Sequence, residues 1–188
     1  MTLKASHNKH TIMALVEDKP GVLNRISSMF RRRGFNISSL AVGQSEIENL
    51  SRMTFVVNGD DSIVEQVTKH LHKLIDVVKV SDMTEEHIVN RELVLIKVKA
   101  NVQSRSEIMQ IVDIFRANII DVSPESLIIE VTGNEDKISS LLQLVDPFGI
   151  LEIMRTGTIA MTRGLIRKSD SKGLTPFDKR ATLETGSV

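Results

Sequence analysis

The chain has 188 residues, 41% of them hydrophobic, which is enough for one large domain or for two small domains with cores of their own. Its 24 Lys and Arg residues balance its 24 Asp and Glu residues, so no net charge attracts nucleic acid or an anionic membrane. The sequence contains no cysteine and only 3% aromatic residues, which excludes a disulfide scaffold, thiolate catalysis and cysteine-based zinc sites and leaves little material for stacking on RNA bases.

The first half of the chain alternates short apolar runs with helical patterns. Residues 11–17 form a nearly continuous apolar run, which is typical of a strand buried in a sheet. Pro20 and Gly21 then open a helix, because proline suits a first helical turn, and Gly34 is a natural C-terminal cap for it. Later patterns predict strands at 35–42 and 53–57, a helix opened by 59–61, and a fourth strand at 77–83.

The second half of the chain repeats this order of elements. Three motifs recur in sequence: 29–31 as 114–116, 35–37 as 120–122, and 59–61 as 133–135. Both halves therefore read βαββαβ, a unit that packs two helices on one face of a four-stranded antiparallel sheet. We expect an α+β fold of two tandem ferredoxin-like units, with dimerisation covering the open sheet edges.

The domain limits follow from where the repeated pattern begins and ends. The first unit is predicted at 10–84 and the second at 92–164, and the polar segment 85–91 joins them as a linker. Residues 165–188 mix charges with Ser, Thr and Gly without periodicity, which predicts a mobile tail. No stretch reaches the roughly 20 apolar residues of a membrane span, so we expect a soluble protein.

The strongest local signal for function is the strand-to-helix turn at 17–22. Free backbone N–H groups at a helix start, with Gly21 allowing close approach, form a receptor for a carboxylate. Asp18 beside them can pair with an ammonium group, so the turn suits a free α-amino acid. An equally weighted alternative is that Asp18 merely caps the helix. At the matching turn of the second half, Ser104 and Glu107 predict a capping box instead.

Other polar residues are weaker candidates. The carboxamide of Asn36 offers a donor and an acceptor to a ligand at a subunit boundary, or it bonds its own backbone in a turn. His70 and His72 project in different directions from a helix, so we expect no metal there. The basic run 31–33 ends a helix, where its positive charges interact favourably with the negative end of the helix dipole. No motif of a known catalytic class is present, and we expect neither catalytic residues nor metal ligands in this chain.

A family resemblance rests on several fragments in order: EDKPGVLNRISSMFRRRGFNISSLAVG, LSRMTF, HKLIDVVKV, VNRELVLIKV, FRANIIDVS and EIMRTG. From His10 to Gly164 the chain resembles the small regulatory subunit of acetohydroxyacid synthase, also called acetolactate synthase. The resemblance implies an N-terminal ACT domain, a second ACT-like domain and a homodimer. It further implies binding and activation of the large catalytic subunit in branched-chain amino acid biosynthesis, with feedback inhibition by valine or another branched-chain amino acid.

The resemblance also implies where the effector binds. In the family the effector lies at the ACT dimer interface, between the helix-start turn of one chain and a strand start of the other. Some valine-sensitive relatives carry Asn where this chain has Asp18, so the identity of the effector does not transfer. Thiamine diphosphate, magnesium and FAD belong to the catalytic subunit, and no cofactor is expected in this chain. The implied effector-binding residues are Asp18, Pro20, Gly21, Val22, Asn36 and Ile37.

The contact with the catalytic subunit is predicted in the loop at 43–51, which is the longest insertion that the second half lacks. A different kind of ACT module, which binds an amino acid for another enzyme partner, remains the alternative function. A cytoplasmic location is expected, or the plastid stroma for a plastid-encoded chain. The residues proposed to contact the catalytic subunit are Gln44, Glu46, Glu48 and Arg52.

Overall fold

The computed structural model describes residues 9–84 and 87–164. The predicted tail at 165–188 and two residues of the predicted linker, 85–86, lie outside the described residues. The chain forms two compact units that divide between Val89 and Asn90, and the described residues from Ala160 onward group with the first unit. Among the described residues, no helix is long and apolar enough to cross a lipid bilayer.

The first unit has the predicted βαββαβ order. Its sheet has the strand order β2-β3-β1-β4, and every pair of neighbours is antiparallel. This is the ferredoxin-like arrangement, so the predicted fold of this unit is confirmed. Its elements are β1 (Lys9–Glu17), α1 (Val22–Arg33), β2 (Ile37–Gln44), β3 (Leu50–Asn58), α2 (Asp61–Leu71) and β4 (Val77–Asp82).

The core of the first unit lies between its sheet and its two helices. Ile12 and Ala14 alternate along β1 toward the helices and are fully buried. Ile26 and Phe30 recur on one face of α1, and the Phe30 ring stacks on Phe55 of β3 with 5.3 Å between centroids. This packing fixes α1 on the sheet and therefore fixes where its first turn stands.

The second unit repeats the arrangement. Its sheet has the order β6-β7-β5-β8, and β9 also pairs with β5. β5 begins at Ile88, so the last part of the predicted linker, 88–91, is strand. The elements are β5 (Ile88–Lys99), α3 (Arg105–Ile114), β6 (Asn118–Val122), β7 (Ser126–Gly133), α4 (Glu135–Val145), a 3₁₀ turn (Asp146–Phe148) and β8 (Ile150–Arg155). The strand that follows, β9 (Ile159–Thr162), lies mostly in the residues that group with the first unit.

The end of the first helix corrects the predicted alignment of the two repeats. Gly34 closes α1 with φ 70° and Arg116 closes α3 with φ 49°. In both units the next residue donates its N–H to the carbonyl five positions back, at 3.1 and 3.0 Å. The structural equivalents of 29–31 and 35–37 are therefore 111–113 and 117–119, three residues before the predicted ones. The alignment was wrong because an arginine in the second copy takes the left-handed conformation of the glycine.

The connection between β2 and β3 is also shorter than predicted. The two strands pair as far as Gln44 opposite Ser51, which leaves only the turn 45–49 between them, hereafter the β2–β3 turn. Its ends are closed by the N–H of Ser45, which donates to the carbonyl of Leu50 at 2.9 Å. Gln44 and Arg52 therefore belong to strands, and the polar composition of 43–51 had concealed this pairing.

Candidate functional site

Residues 18–22 connect β1 to α1 and are called the α1 turn below. No side chain of this turn caps the helix. The N-cap is Gly21, whose φ of 90° lies in the left-handed region, and no side chain accepts a hydrogen bond from the first turn. The backbone N–H groups of Leu23 and Asn24 have no hydrogen-bond partner among the described residues. The alternative that Asp18 caps the helix is therefore wrong, and the helix start keeps donors for an external acceptor.

The second helix of each unit shows what a capped start looks like in this protein. At α2 the Asp60 carboxylate accepts from the N–H of Ile63 at 3.0 Å. At α4 the Asn134 side chain accepts from the N–H of Lys137 at 3.2 Å. Each cap satisfies the third amide of its helix, whereas the equivalent amide of α1, the N–H of Asn24, has no acceptor among the described residues.

The start of α3 is also capped, although not as predicted. The side-chain oxygen of Asn101 accepts from the N–H groups of Gln103 and Ser104, at 2.9 and 2.8 Å. The predicted capping box of Ser104 with Glu107 is wrong, because the backbone of Ser104 is already helical and its hydroxyl accepts from the N–H of Asn101 instead, at 3.1 Å. In the described ranges, α2 and α4 are capped by their N-cap side chains and α3 is preceded by the Asn101 acceptor, whereas α1 has neither feature.

The charges around the α1 turn leave one acidic group uncommitted. Lys19 donates to Glu17 at 2.8 Å, and this hydrogen bond raises the pKa of Lys19 above its ordinary value. Arg25 on α1 pairs with Asp76 before β4. The carboxylate of Asp18 is exposed and makes no hydrogen bond or ion pair with any described residue. It can therefore accept hydrogen bonds from an ammonium group beside the open amides of α1.

The α1 turn is joined to the β2–β3 turn by the backbone. The N–H of Asp18 donates to the carbonyl of Asn49 at 2.8 Å. Asn49 has a φ of 59°, one of two non-glycine residues with positive φ among those described. Asn49 is not among the site residues predicted from the sequence, although an Asn just before a strand is a signal for the left-handed region. The two turns are therefore joined by a hydrogen bond at one end of the first sheet.

The residues predicted to contact a catalytic subunit lie around the β2–β3 turn. Both Glu46 oxygens accept from Arg52, each at 2.7 Å, and these hydrogen bonds lower the pKa of the Glu46 carboxyl. Gln44 and Glu48 are exposed. The structure thus brings these four residues to one end of the sheet, where two hydrogen bonds join Arg52 to Glu46.

Asn36 is the second uncommitted polar group. It is exposed just before β2, and its carboxamide makes no hydrogen bond with any described residue. The equivalent residue of the second unit, Asn118, instead donates its side-chain amide to Glu130 at 3.1 Å. Asn36 therefore retains both a donor and an acceptor for a group outside its own chain.

The predicted site residues do not all meet within one chain. Glu17 lies opposite Leu50 on β3, whereas Ile37 lies opposite Val57. These points are seven residue steps apart along β3, or about 23 Å of strand. The structure brings Asp18, Pro20, Gly21 and Val22 together in the α1 turn, and it places Asn36 and Ile37 at the opposite end of the same sheet.

No metal centre accompanies these groups. Within the ranges 9–84 and 87–164, no cluster of at least three His, Cys, Asp and Glu side chains is arranged to hold a metal ion. The α1 turn offers backbone donors and a free carboxylate, and Asn36 offers a free carboxamide at the other end of the sheet. Donors and acceptors of this kind suit the two charged ends of a zwitterion.

Comparison with known proteins identifies the family. A model described as the AHAS small subunit-like ACT domain matches residues 12–79. A second model, the small subunit of acetolactate synthase, matches residues 91–164. The chain belongs to the acetolactate synthase small subunit family. The family models thus cover both units, and the α1 turn lies in the ACT segment.

Individual relatives agree with this assignment. The acetolactate synthase small subunit of Mycobacterium bovis is 54% identical over 85% of this chain and 95% of its own length. A probable acetolactate synthase small subunit of Archaeoglobus fulgidus is 58% identical over 83% of this chain and 98% of its own. The crystal structure of the small subunit from Thermotoga maritima matches 84% of this chain and 99% of its own, with 45% identity and a TM-score of 0.77.

Family membership gives the open α1 turn a context. As a small subunit of acetolactate synthase with an ACT-type domain, the chain is suited to a regulatory role beside a catalytic subunit. The ACT unit holds the uncommitted groups Asp18 and Asn36, whereas the second unit has capped helices and a committed Asn118. The two copies of one fold therefore differ in the groups that they leave free for a ligand.

Proposed function

We propose that this acetolactate synthase small subunit binds a free branched-chain amino acid at the α1 turn and thereby regulates the catalytic subunit. The observation that carries the proposal is that the N–H groups of Leu23 and Asn24 and the carboxylate of Asp18 all lack a partner among the described residues. The positive end of the α1 dipole and these amides receive the carboxylate of the ligand. Asp18 receives its ammonium group, and the aliphatic side chain lies near Val22.

A second copy of the chain completes the proposed site. β2 is an edge strand, and two such strands can pair antiparallel about a two-fold axis. This pairing places the Ile37 end of one β2 beside the Gln44 end of the other, which is the end of the sheet that holds the α1 turn. Asn36 of one chain then reaches the ligand held by Asp18 of the other chain.

Exposed apolar side chains along this edge support the dimer. Leu23 on α1 and Val42 on β2 are 47% and 50% exposed in the single chain. Burial of such side chains is a main source of dimer stability. The proposed homodimer therefore covers an open sheet edge and creates the amino-acid site in the same step.

The proposed response is allosteric. The catalytic subunit binds the small subunit, is activated by it, and supplies the thiamine diphosphate, magnesium and FAD of the reaction. An effector shifts the activity only through a difference in its affinity for two states of the complex, which is typically about 1–3 kcal/mol. We place the complex in the cytoplasm, because the similar small subunits come from bacteria and archaea.

The β2–β3 turn is the proposed contact with the catalytic subunit. It presents Gln44 and Glu48 to solvent, and the paired side chains of Glu46 and Arg52 stiffen it. A stiff polar turn loses little conformational entropy when a partner binds. Replacing turn 45–49 by a Gly-Ser turn of equal length tests this contact, since unchanged capture and activation of the catalytic subunit would contradict it.

Reconstitution tests the function itself. The full chain is mixed with its catalytic subunit, and acetolactate formation is followed while valine, leucine and isoleucine are titrated. We expect the small subunit to raise the activity and at least one of these amino acids to lower it again. Activation without any response to these amino acids would contradict the proposed sensing function. Amino-acid binding without activation would instead favour an ACT module that serves a different enzyme.

A further inference from the structure

Four connections tie the β2–β3 turn to the α1 turn and to β3. The Asn49 carbonyl accepts from the N–H of Asp18 at 2.8 Å, and the N–H of Leu50 donates to Ile47 at 3.2 Å. The N–H of Ser45 closes the turn on the Leu50 carbonyl at 2.9 Å, and Arg52 holds Glu46. The Asp18–Asn49 bond is the one direct link between the two turns among these four.

Asn49 is the residue of this arrangement that has an unusual backbone conformation. Its φ of 59° lies in a region that side chains other than glycine rarely adopt. The Asp18–Asn49 hydrogen bond holds the carbonyl of this residue in place. Release of the bond would let Asn49 return to the right-handed or extended region and reshape the turn.

We propose that Asn49 is a positioning residue that couples amino-acid binding at the α1 turn to partner binding at the β2–β3 turn. The inference rests on the proposed function. A ligand that holds the Asp18 carboxylate also fixes the backbone of Asp18, and the hydrogen bond passes this constraint to Asn49. A catalytic subunit that prefers one shape of the turn therefore changes the affinity for the amino acid, and the effect is reciprocal.

A variant at Asn49 with a matched control tests the coupling. Asn49→Val disfavours the left-handed region because valine is β-branched. Arg116→Val is the control, since Arg116 is the other non-glycine residue described with positive φ, at 49°, and it lies in the second unit. Calorimetry gives the valine affinity of each full-length subunit, alone and in complex with the catalytic subunit.

The ratio of the two affinities is the readout. The wild type and Arg116→Val should show the same ratio, about 5- to 150-fold on the usual scale of such coupling. Asn49→Val should bring the ratio close to one while valine still binds the free subunit. A wild-type ratio in a folded Asn49→Val subunit would overturn the inference and leave the proposed function intact. Absence of valine binding to the wild type would overturn both.

Hydrogen exchange of the wild type provides a second measurement that needs no variant. Valine should slow amide exchange in the β2–β3 turn, because the constraint reaches Asn49. The β6–β7 turn at 123–125, closed by the N–H of Ser123 donating to Ser126 at 2.9 Å, should exchange at an unchanged rate. Slowing at the α1 turn with none at 45–49 would also overturn the coupling.

Discussion

The side-chain amide of Asn118 donates a hydrogen bond to the Glu130 carboxylate at 3.1 Å, and the equivalent residue of the first unit, Asn36, has no such partner among the described residues. The first helix of each unit shows the same contrast, because Asn101 caps the start of α3 whereas α1 has no side-chain cap. Two polar features that are used internally in one copy are thus free in the other. The proposed amino-acid site rests on this difference between the two units of one chain.

Gly21→Ala is expected to abolish amino-acid binding, because its Cβ stands where a ligand approaches the open amides. The φ of 90° makes alanine strained, by about 1–2 kcal/mol, while nothing lies within 4 Å of the added Cβ. Gly34→Ala is the matched control, with a φ of 70° and equally open space. Both variants should lose similar stability in denaturant titrations, but only Gly21→Ala should lose valine binding by calorimetry. Equal valine affinities would contradict the site.

Most of the fold could be predicted because buried apolar residues recur at regular intervals along strands and helices. Val94, Ile96 and Val98 alternate along β5 on the face that is fully buried. The end of α3 shows no such pattern, since nothing in the arginine side chain signals that Arg116 adopts the backbone of Gly34. The repeat was therefore recognised, and its alignment was wrong by three residues.

One part of the candidate site could likewise be predicted from the sequence, and another part could not. Pro20 and Gly21 are local signals, so the α1 turn could be predicted from the sequence alone. The bond between Asp18 and Asn49 could not, because it joins residues that only the β1–β3 pairing brings together. The cap that Asn101 provides was missed because a nearer serine offered a more familiar pattern.

Arg52→Gln is expected to raise the pKa of Glu46 toward its ordinary value, because hydrogen bonds from Arg52 lower that pKa. Since the folded state has the lower pKa, the pair is intact at neutral pH and is lost as the pH falls through that value. Carboxyl-carbon NMR titration measures the change. Lys19→Met, which removes a different surface pair, should leave the titration of Glu46 as it is.

Val42→Arg is expected to weaken self-association, because it places a charge on the exposed face of the β2 edge, where Val42 is 50% exposed. Val102→Arg serves as the control, since Val102 lies in the second unit and is 89% exposed. Sedimentation should show dissociation of the Val42 variant at concentrations where the control stays dimeric. Valine affinity should fall in parallel, and a monomer that binds valine as tightly as the dimer would refute the shared site.

Mixed dimers provide a test of the shared site that does not depend on stability. Asp18→Ala and Asn36→Ala should each abolish valine binding, since each removes one side of every site in a homodimer. When the two variants are mixed and allowed to exchange subunits, a mixed dimer has both substitutions in one site and neither in the other. Calorimetry should therefore recover one wild-type site for each mixed dimer. If Asp18 and Asn36 of the same chain formed the site, mixing would recover no binding.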